Sequence, residues 1–255
     1  MHKTVLDNDL RDMLTRYAEQ YETASFIVGD PSWWMHQVEG DLNREATAFV
    51  ASVLSYGSRS QFMPKIGWIL ERAKGDVDSW LRKGDYESDF MAGCGKSFYR
   101  LYSYDRMHGF FDAYRKLLET NGSLGCYVMK NAHDGLSAVE ALCEYFSRCG
   151  VSVVVPKDAT SACKRVCMFL RWMVRSGSPV DLGLWKDIVD RRTLIMPMDT
   201  HVVSQAMRLG LLQSRCASMN AARRLTDVMA EVFPEDPLRG DFALFGYGVM
   251  GEKEC

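Results

Sequence analysis

Two residues of this chain have the type and position to do chemistry, one as an amine nucleophile and one as a fixed carboxylate: Lys164 and Asp199. Lys164 heads an apolar run, Cys163-Lys164-Arg165-Val166-Cys167. Such neighbours predict a partly desolvated amine, which is a usable nucleophile. Asp199 stands in Pro197-Met198-Asp199-Thr200-His201-Val202, between a proline turn and a helix start. A carboxylate there caps the first free backbone N–H groups and faces the positive end of the helix dipole. It is aimed out of the helix end rather than along its side. Each residue also has a plainer reading when taken singly. Asp is a common helix cap, and a lysine stem often lies along a helix with its head in water.

The elements that must position this pair are helical. Residues 6–21 put Leu6, Leu10, Met13, Leu14 and Tyr17 on one face. The 44–56 run is too apolar for a one-sided helix and predicts burial on most sides. Further helices are expected at 60–73, 103–120, 123–130, 136–149, 160–175, 185–191, 199–209, 218–233 and 238–249, with a short helix and loop over 76–92. Pro31, Gly57, Gly177, Pro179 and Gly210 mark breaks. The one strand-like run, Val151–Asp158, has no second strand to pair with and reads as an extended connector. Gly93–Ser97 lacks the full phosphate-loop pattern and a preceding strand. The fold class is all-α, with roughly ten helices in one globular unit over 1–255.

Composition excludes several classes. Hydrophobic residues are 47% and charged residues 25%, against disorder. No apolar run is long enough for a transmembrane helix, and acids occupy the place of a signal peptide's apolar core, so a cytoplasmic protein without membrane contact is expected. Eight cysteines without a Cys-x-x-Cys are then read as free thiols. Cys163 and Cys167, at i and i+4, are small packing residues or half of a metal site; the first reading is preferred, and neither metal nor cofactor is expected. The net charge is -2, but residues 157–224 carry twelve basic and five acidic side chains, an excess of +7 around Lys164 and Asp199. Such polarity suits a protein that turns one face to a polyanion.

The Pro197–Val202 segment, with a lysine upstream, resembles the helix-hairpin-helix DNA glycosylase superfamily, which includes endonuclease III and the 8-oxoguanine glycosylases. Within it, the chain is similar to a bacterial family of unknown function through residues 163–175, Val180–Trp185 and Asp241–Gly248, and more weakly through Ser55-Tyr56-Gly57. The resemblance spans about 44–249. Two departures stand out. Pro156–Thr160 replaces a glycine-bearing hairpin, and Lys164 and Asp199 lie 35 residues apart, as in the archaeal 8-oxoguanine branch rather than the iron–sulfur members. The C-terminal four-cysteine cluster of some members is absent.

The resemblance implies two helical lobes, one over about 44–178 and one over about 1–43 with 179–255, with the site in the cleft between them. It implies base excision with strand cleavage on duplex DNA holding a damaged or abasic site, with oxidised purines such as 8-oxoguanine as candidates and a monomer as the working form. Lys164 would be the Schiff-base nucleophile and Asp199 the cation stabiliser. Lys157, Arg171 and Arg175 are candidate phosphate contacts, with a solvated basic face as the alternative. Trp172 stacks on an extruded base or sits in the core. Tyr56 and Gln61 fall where relatives fill the gap left by a flipped base, and His201 supports the helix start. Other classes stay open: a non-catalytic DNA-binding or damage-sensing protein, a nucleoside or RNA glycosidase, or a structural protein.

Overall fold

The computed structural model describes residues 6–251, with side chains through Gly248; Cys255 lies outside them. Among the described residues the chain is all-α, as expected. Eleven α-helices run in chain order: α1 (Asn8–Tyr21), α2 (Asp41–Leu54), α3 (Arg59–Arg72), α4 (Val77–Lys83), α5 (Tyr104–Asn121), α6 (Leu124–Asn131), α7 (Gly135–Arg148), α8 (Lys164–Val174), α9 (Thr200–Arg208), α10 (Met219–Val232) and α11 (Arg239–Gly251). Short 3-10 turns cover Ala24–Ile27, Pro31–His36, Asp85–Ser88 and Arg191–Thr193. Asp7, Asp76, Ser103, Ser123, Asp134, Asp199 and Ser218 each accept a first-turn N–H, so most helix starts are written into the sequence as caps. No helix among them is long and apolar enough to cross a membrane.

The core forms around α2. Eleven of its fourteen residues are buried, in keeping with its all-round apolarity. It touches α3, α4, α8 and the Pro31–His36 turn. Phe49 at its centre meets Phe110, Tyr114, Phe146 and Phe169, which brings α5, α7 and α8 onto one aromatic cluster. The chain ends close a second set of contacts: α11 packs against α1, α9 and α10. Glu45 ties α2 to two other segments. Its buried carboxylate accepts from Leu124 N (2.8 Å), Gly125 N (3.1 Å) and the Trp185 indole (2.9 Å). It thereby caps α6 from another helix, and burial pushes its carboxyl above the ordinary range.

Three segments differ from the sequence expectation. Residues 151–155 are a compact turn rather than an extended connector, since Val154 N and Val155 N both return to Val151 O (2.9 and 3.2 Å). The three valines are buried, and with no partner strand a local turn satisfies their backbone groups better than extension. The helix expected at 185–191 does not form. Leu182 N donates to Trp172 O and Trp185 N to Met173 O, both at 2.7 Å, so this stretch satisfies the last carbonyls of α8 instead. A small antiparallel hairpin, β1 (Ser97–Tyr99) and β2 (Tyr102–Ser103), precedes α5, with Arg100 at its tip in the left-handed region (φ 50°).

Candidate functional site

A cavity of about 660 Å³ opens between the starts of α8 and α9, the end of α2, the Asp30–Pro31 turn and α11. Lys164 is the first residue of α8 and Asp199 the cap of α9, so both side chains leave helix N-termini and enter this space. Lys164 Nζ lies 3.8 Å from Asp199 Oδ2, and both side chains are about one-third exposed. Asp199 Oδ1 accepts from Val202 N at 2.7 Å. The cap thus uses one carboxylate oxygen and the lysine approaches the other.

Several contacts hold Lys164 in place. Cys163, immediately before it, has φ 44°, a left-handed conformation costly for a residue with a Cβ. Residues 160–162 are tied to 217–219 by Ala162 N to Ala217 O (3.1 Å) and Met219 N to Thr160 O (3.3 Å). Arg165, the next residue, also lines the cavity and is anchored by its head group. Its Nη1 donates to Val53 O (2.7 Å) and Val154 O (2.9 Å) and meets the Tyr102 hydroxyl. One guanidinium therefore joins the α2 C-terminus, the 151–155 turn and the hairpin to the start of α8, where the α2 dipole favours a cation. Burial pushes the Tyr102 hydroxyl up to about 12.

Tyr56 forms a wall of the cavity. The Arg100 and Arg165 guanidiniums both lie over its ring, 5.5 and 5.4 Å from its centre, and its hydroxyl accepts from Leu101 N at 3.1 Å. Gly57, at φ 79°, keeps the corner open, since a Cβ there would stand 2.7 Å from Arg100 Nη1. His201 also lines the cavity. Its Nε2 is buried without a hydrogen-bond partner, and Gly248 and Phe245 pack against the ring. Gln61 is exposed on α3 and Lys157 is exposed in its loop; neither lines the cavity.

Two expected phosphate contacts are corrected, and Trp172 takes the core position that was one of its two readings. Arg171 and Arg175 share a helix face, but the face points inward, and their side chains are 4% and 1% exposed. Arg171 Nε donates to Asp181 (3.2 Å), and its Nη1 meets Asp241. Arg175 holds Asp236 through two bonds of 2.8 Å and meets Asp181 and Glu22. Four carboxylates from three parts of the chain thus take both cations away from any phosphate. With Asp181 buried beside them, the excess that residues 157–224 can turn outward falls from +7 to +6. Trp172 is fully buried, with its indole N–H unpartnered, so it is a core residue and not a stacking platform. Cys163 and Cys167 are likewise buried, and no metal-holding group of three or more His, Cys, Asp or Glu occurs among the described residues.

The structure adds cavity residues that sequence reasoning passed over: Asp30, Arg59, Arg165 and Asp241. Asp241 was legible only as part of the 241–248 motif; nothing local tells that α11 carries it to Asp199. Burial pushes its carboxyl up to about 6, with Arg171 opposing and Asp199 adding to the rise. The folded chain therefore holds this proton more tightly than the unfolded chain. Its stability contribution is full below the ordinary value of 3.8 and is lost as pH rises through about 6. The denaturation midpoint of wild type, measured relative to Asp241→Asn, is expected to fall across that window and level off above it. A flat difference would place the Asp241 titration elsewhere.

Fold and cavity together define an all-α protein with a lysine–carboxylate pair facing an open, partly apolar cavity. A family model described as "Protein of unknown function (DUF2400)" matches residues 30–250, and the chain belongs to that family. Neither the curated proteins nor the solved structures contain a match to it.

Proposed function

We propose that this protein is a DNA base-excision glycosylase with lyase activity, related to the helix-hairpin-helix glycosylases and acting on duplex DNA that holds a damaged or abasic site. The observation that carries the reading is the approach of Lys164 Nζ to Asp199 Oδ2, 3.8 Å apart at the mouth of one cavity. The cavity's size falls within the usual range for small-molecule pockets and leaves room for an extruded base. In this reading it is the cleft between two lobes, one built on α2–α8 and one on α1 with α9–α11.

Lys164 Nζ attacks the sugar C1′. The C1′–N bond to the base breaks and its electron pair leaves with the base. Asp199, fixed by its cap bond, stabilises the positive charge that develops on the sugar and accepts a proton from the attacking amine. The C1′–O4′ bond then breaks, the ring oxygen takes a proton and remains on C4′ as a hydroxyl, and the resulting imine permits elimination of the 3′-phosphate, which cleaves the strand. Exposed Arg59 and Arg100 stand beside the cavity wall as candidate phosphate contacts, in place of Arg171 and Arg175.

The test is a panel of duplexes bearing single lesions or an abasic site, 8-oxoguanine first, reduced with borohydride in the presence of the protein. A covalent adduct on at least one duplex is expected. Salt-dependent binding with no adduct on any duplex would assign the protein to non-catalytic DNA recognition instead.

A further inference from the structure

The start of α8 holds a second chemical group that the mechanism above does not use. Cys143, in the middle of α7, and Cys163, the cap of α8, bring their sulfurs to 3.8 Å. Both are reduced and buried, yet Cys163 forms part of the cavity wall beside Lys164. Either sulfur can donate to the other, and the Cys163 thiol also reaches Asp158 O at 3.2 Å. Ser161 Oγ lies 3.6 Å from the same sulfur. The remaining neighbour, Cys167, is turned away and donates to Ala162 O.

We propose that Cys143 and Cys163 are a peroxide-reactive dithiol: Cys163 is oxidised from the cavity side, and Cys143 resolves it to a disulfide. A bond length of about 2 Å requires each sulfur to move by roughly 1 Å, within the reach of side-chain rotation. Two features make Cys163 the attacking sulfur. It is the one that meets the cavity, and its hydrogen bonds with Cys143 and Ser161 pull its thiol down to about 7. The same contact with Cys163, together with burial, pushes Cys143 the other way. The lower of the two thiols is the one that reaches the thiolate form first.

The chemistry balances with one hydroperoxide. The Cys163 thiolate attacks a peroxide oxygen, the O–O bond breaks, and alcohol or water leaves, giving a sulfenic acid. Cys143 loses its proton and attacks that sulfur. The S–S bond forms, the S–O bond breaks, and the oxygen departs as water. Two thiols are oxidised and one peroxide is reduced. The new bond joins α7 to the residue preceding Lys164, whose left-handed backbone leaves little slack.

The full-length protein is treated with hydrogen peroxide, its remaining thiols are blocked under denaturing conditions, and its peptides are mapped without reduction. A Cys143–Cys163 cross-linked peptide, lighter by two hydrogens and reversed by dithiothreitol, is expected before exposed Cys149 or Cys216 is modified. In Cys143→Ala, dimedone is expected to capture a sulfenic acid at Cys163. Reduced Cys163 in wild type after Cys149 and Cys216 have been oxidised overturns the proposal, as does dimedone on Cys167 in the variant. The mapping uses no DNA, so its outcome is independent of the glycosylase reading. The wild-type arm also stands if the variant folds poorly.

Discussion

The Lys164→Ala protein is expected to form no borohydride-stable adduct with any duplex that traps wild type, while its duplex affinity stays within a few-fold. Among the described residues Lys164 is the one lysine of the cavity wall, and its side chain makes no bond among them that holds the fold apart from the approach to Asp199. Removing it deletes the nucleophile and leaves the shape of the pocket. Asp199→Asn separates charge from geometry. Asparagine caps a helix about as well as aspartate, so the bond to Val202 N and the start of α9 survive. Only the anion is lost, and the trapping rate is expected to fall by about 10²–10³, or roughly 3–4 kcal/mol of transition-state stabilisation, the scale of similar electrostatic devices. Asp199→Ala loses the cap as well and is expected to add about 1 kcal/mol of instability. Undiminished trapping by Lys164→Ala would move the nucleophile to another amine, and an unchanged rate in Asp199→Asn would reduce Asp199 to its cap.

The largest effect on stability is expected at Asp181, far from solvent and outside the cavity. Its carboxylate is fully buried and bridges Arg171 and Arg175, which in turn hold Asp241, Asp236 and Glu22. Burial pushes its carboxyl up while the two arginines oppose that rise. Asp181→Ala leaves both guanidiniums buried with one counter-charge fewer, and breaking a buried pair from one side costs about 3–5 kcal/mol. The denaturant midpoint of the variant is expected to fall by the corresponding amount, and Asp181→Asn, which keeps the volume, to fall nearly as far. A loss under about 1 kcal/mol would mean that Asp236, Asp241 and Glu22 suffice to neutralise both cations. Because Asp241 belongs to this cluster and to the cavity, the same variant is expected to disturb trapping as well.

The network also explains where sequence reasoning stopped. The spacing of Arg171 and Arg175 correctly places them on one helix face, and nothing in residues 160–175 tells which way that face looks. The answer lies in Glu22, Asp181, Asp236 and Asp241, from segments up to 153 residues away from Arg175. The 185–191 stretch has helical composition, but the free carbonyls at the end of α8 compete for its N–H groups and Glu45 holds the Trp185 indole. Val151–Val155 has strand composition and no strand to pair with, so burial against the core sets its turn.

What the sequence by itself determined is local: helix periods and the capping residues that begin them, Asp199 among them. Those signals are short-range because a 3.6-residue period and a first-turn N–H involve only near neighbours. Tertiary structure alone decided that Lys164 and Asp199 meet, that Asp241 and Arg165 join them, and that two arginines in the most basic segment are interior. Each of these depends on which helix ends converge and which charges are removed from water together. Such convergence is set by packing of the whole core around α2 and by the closing of α11 on α1 and α9, and no single segment encodes it.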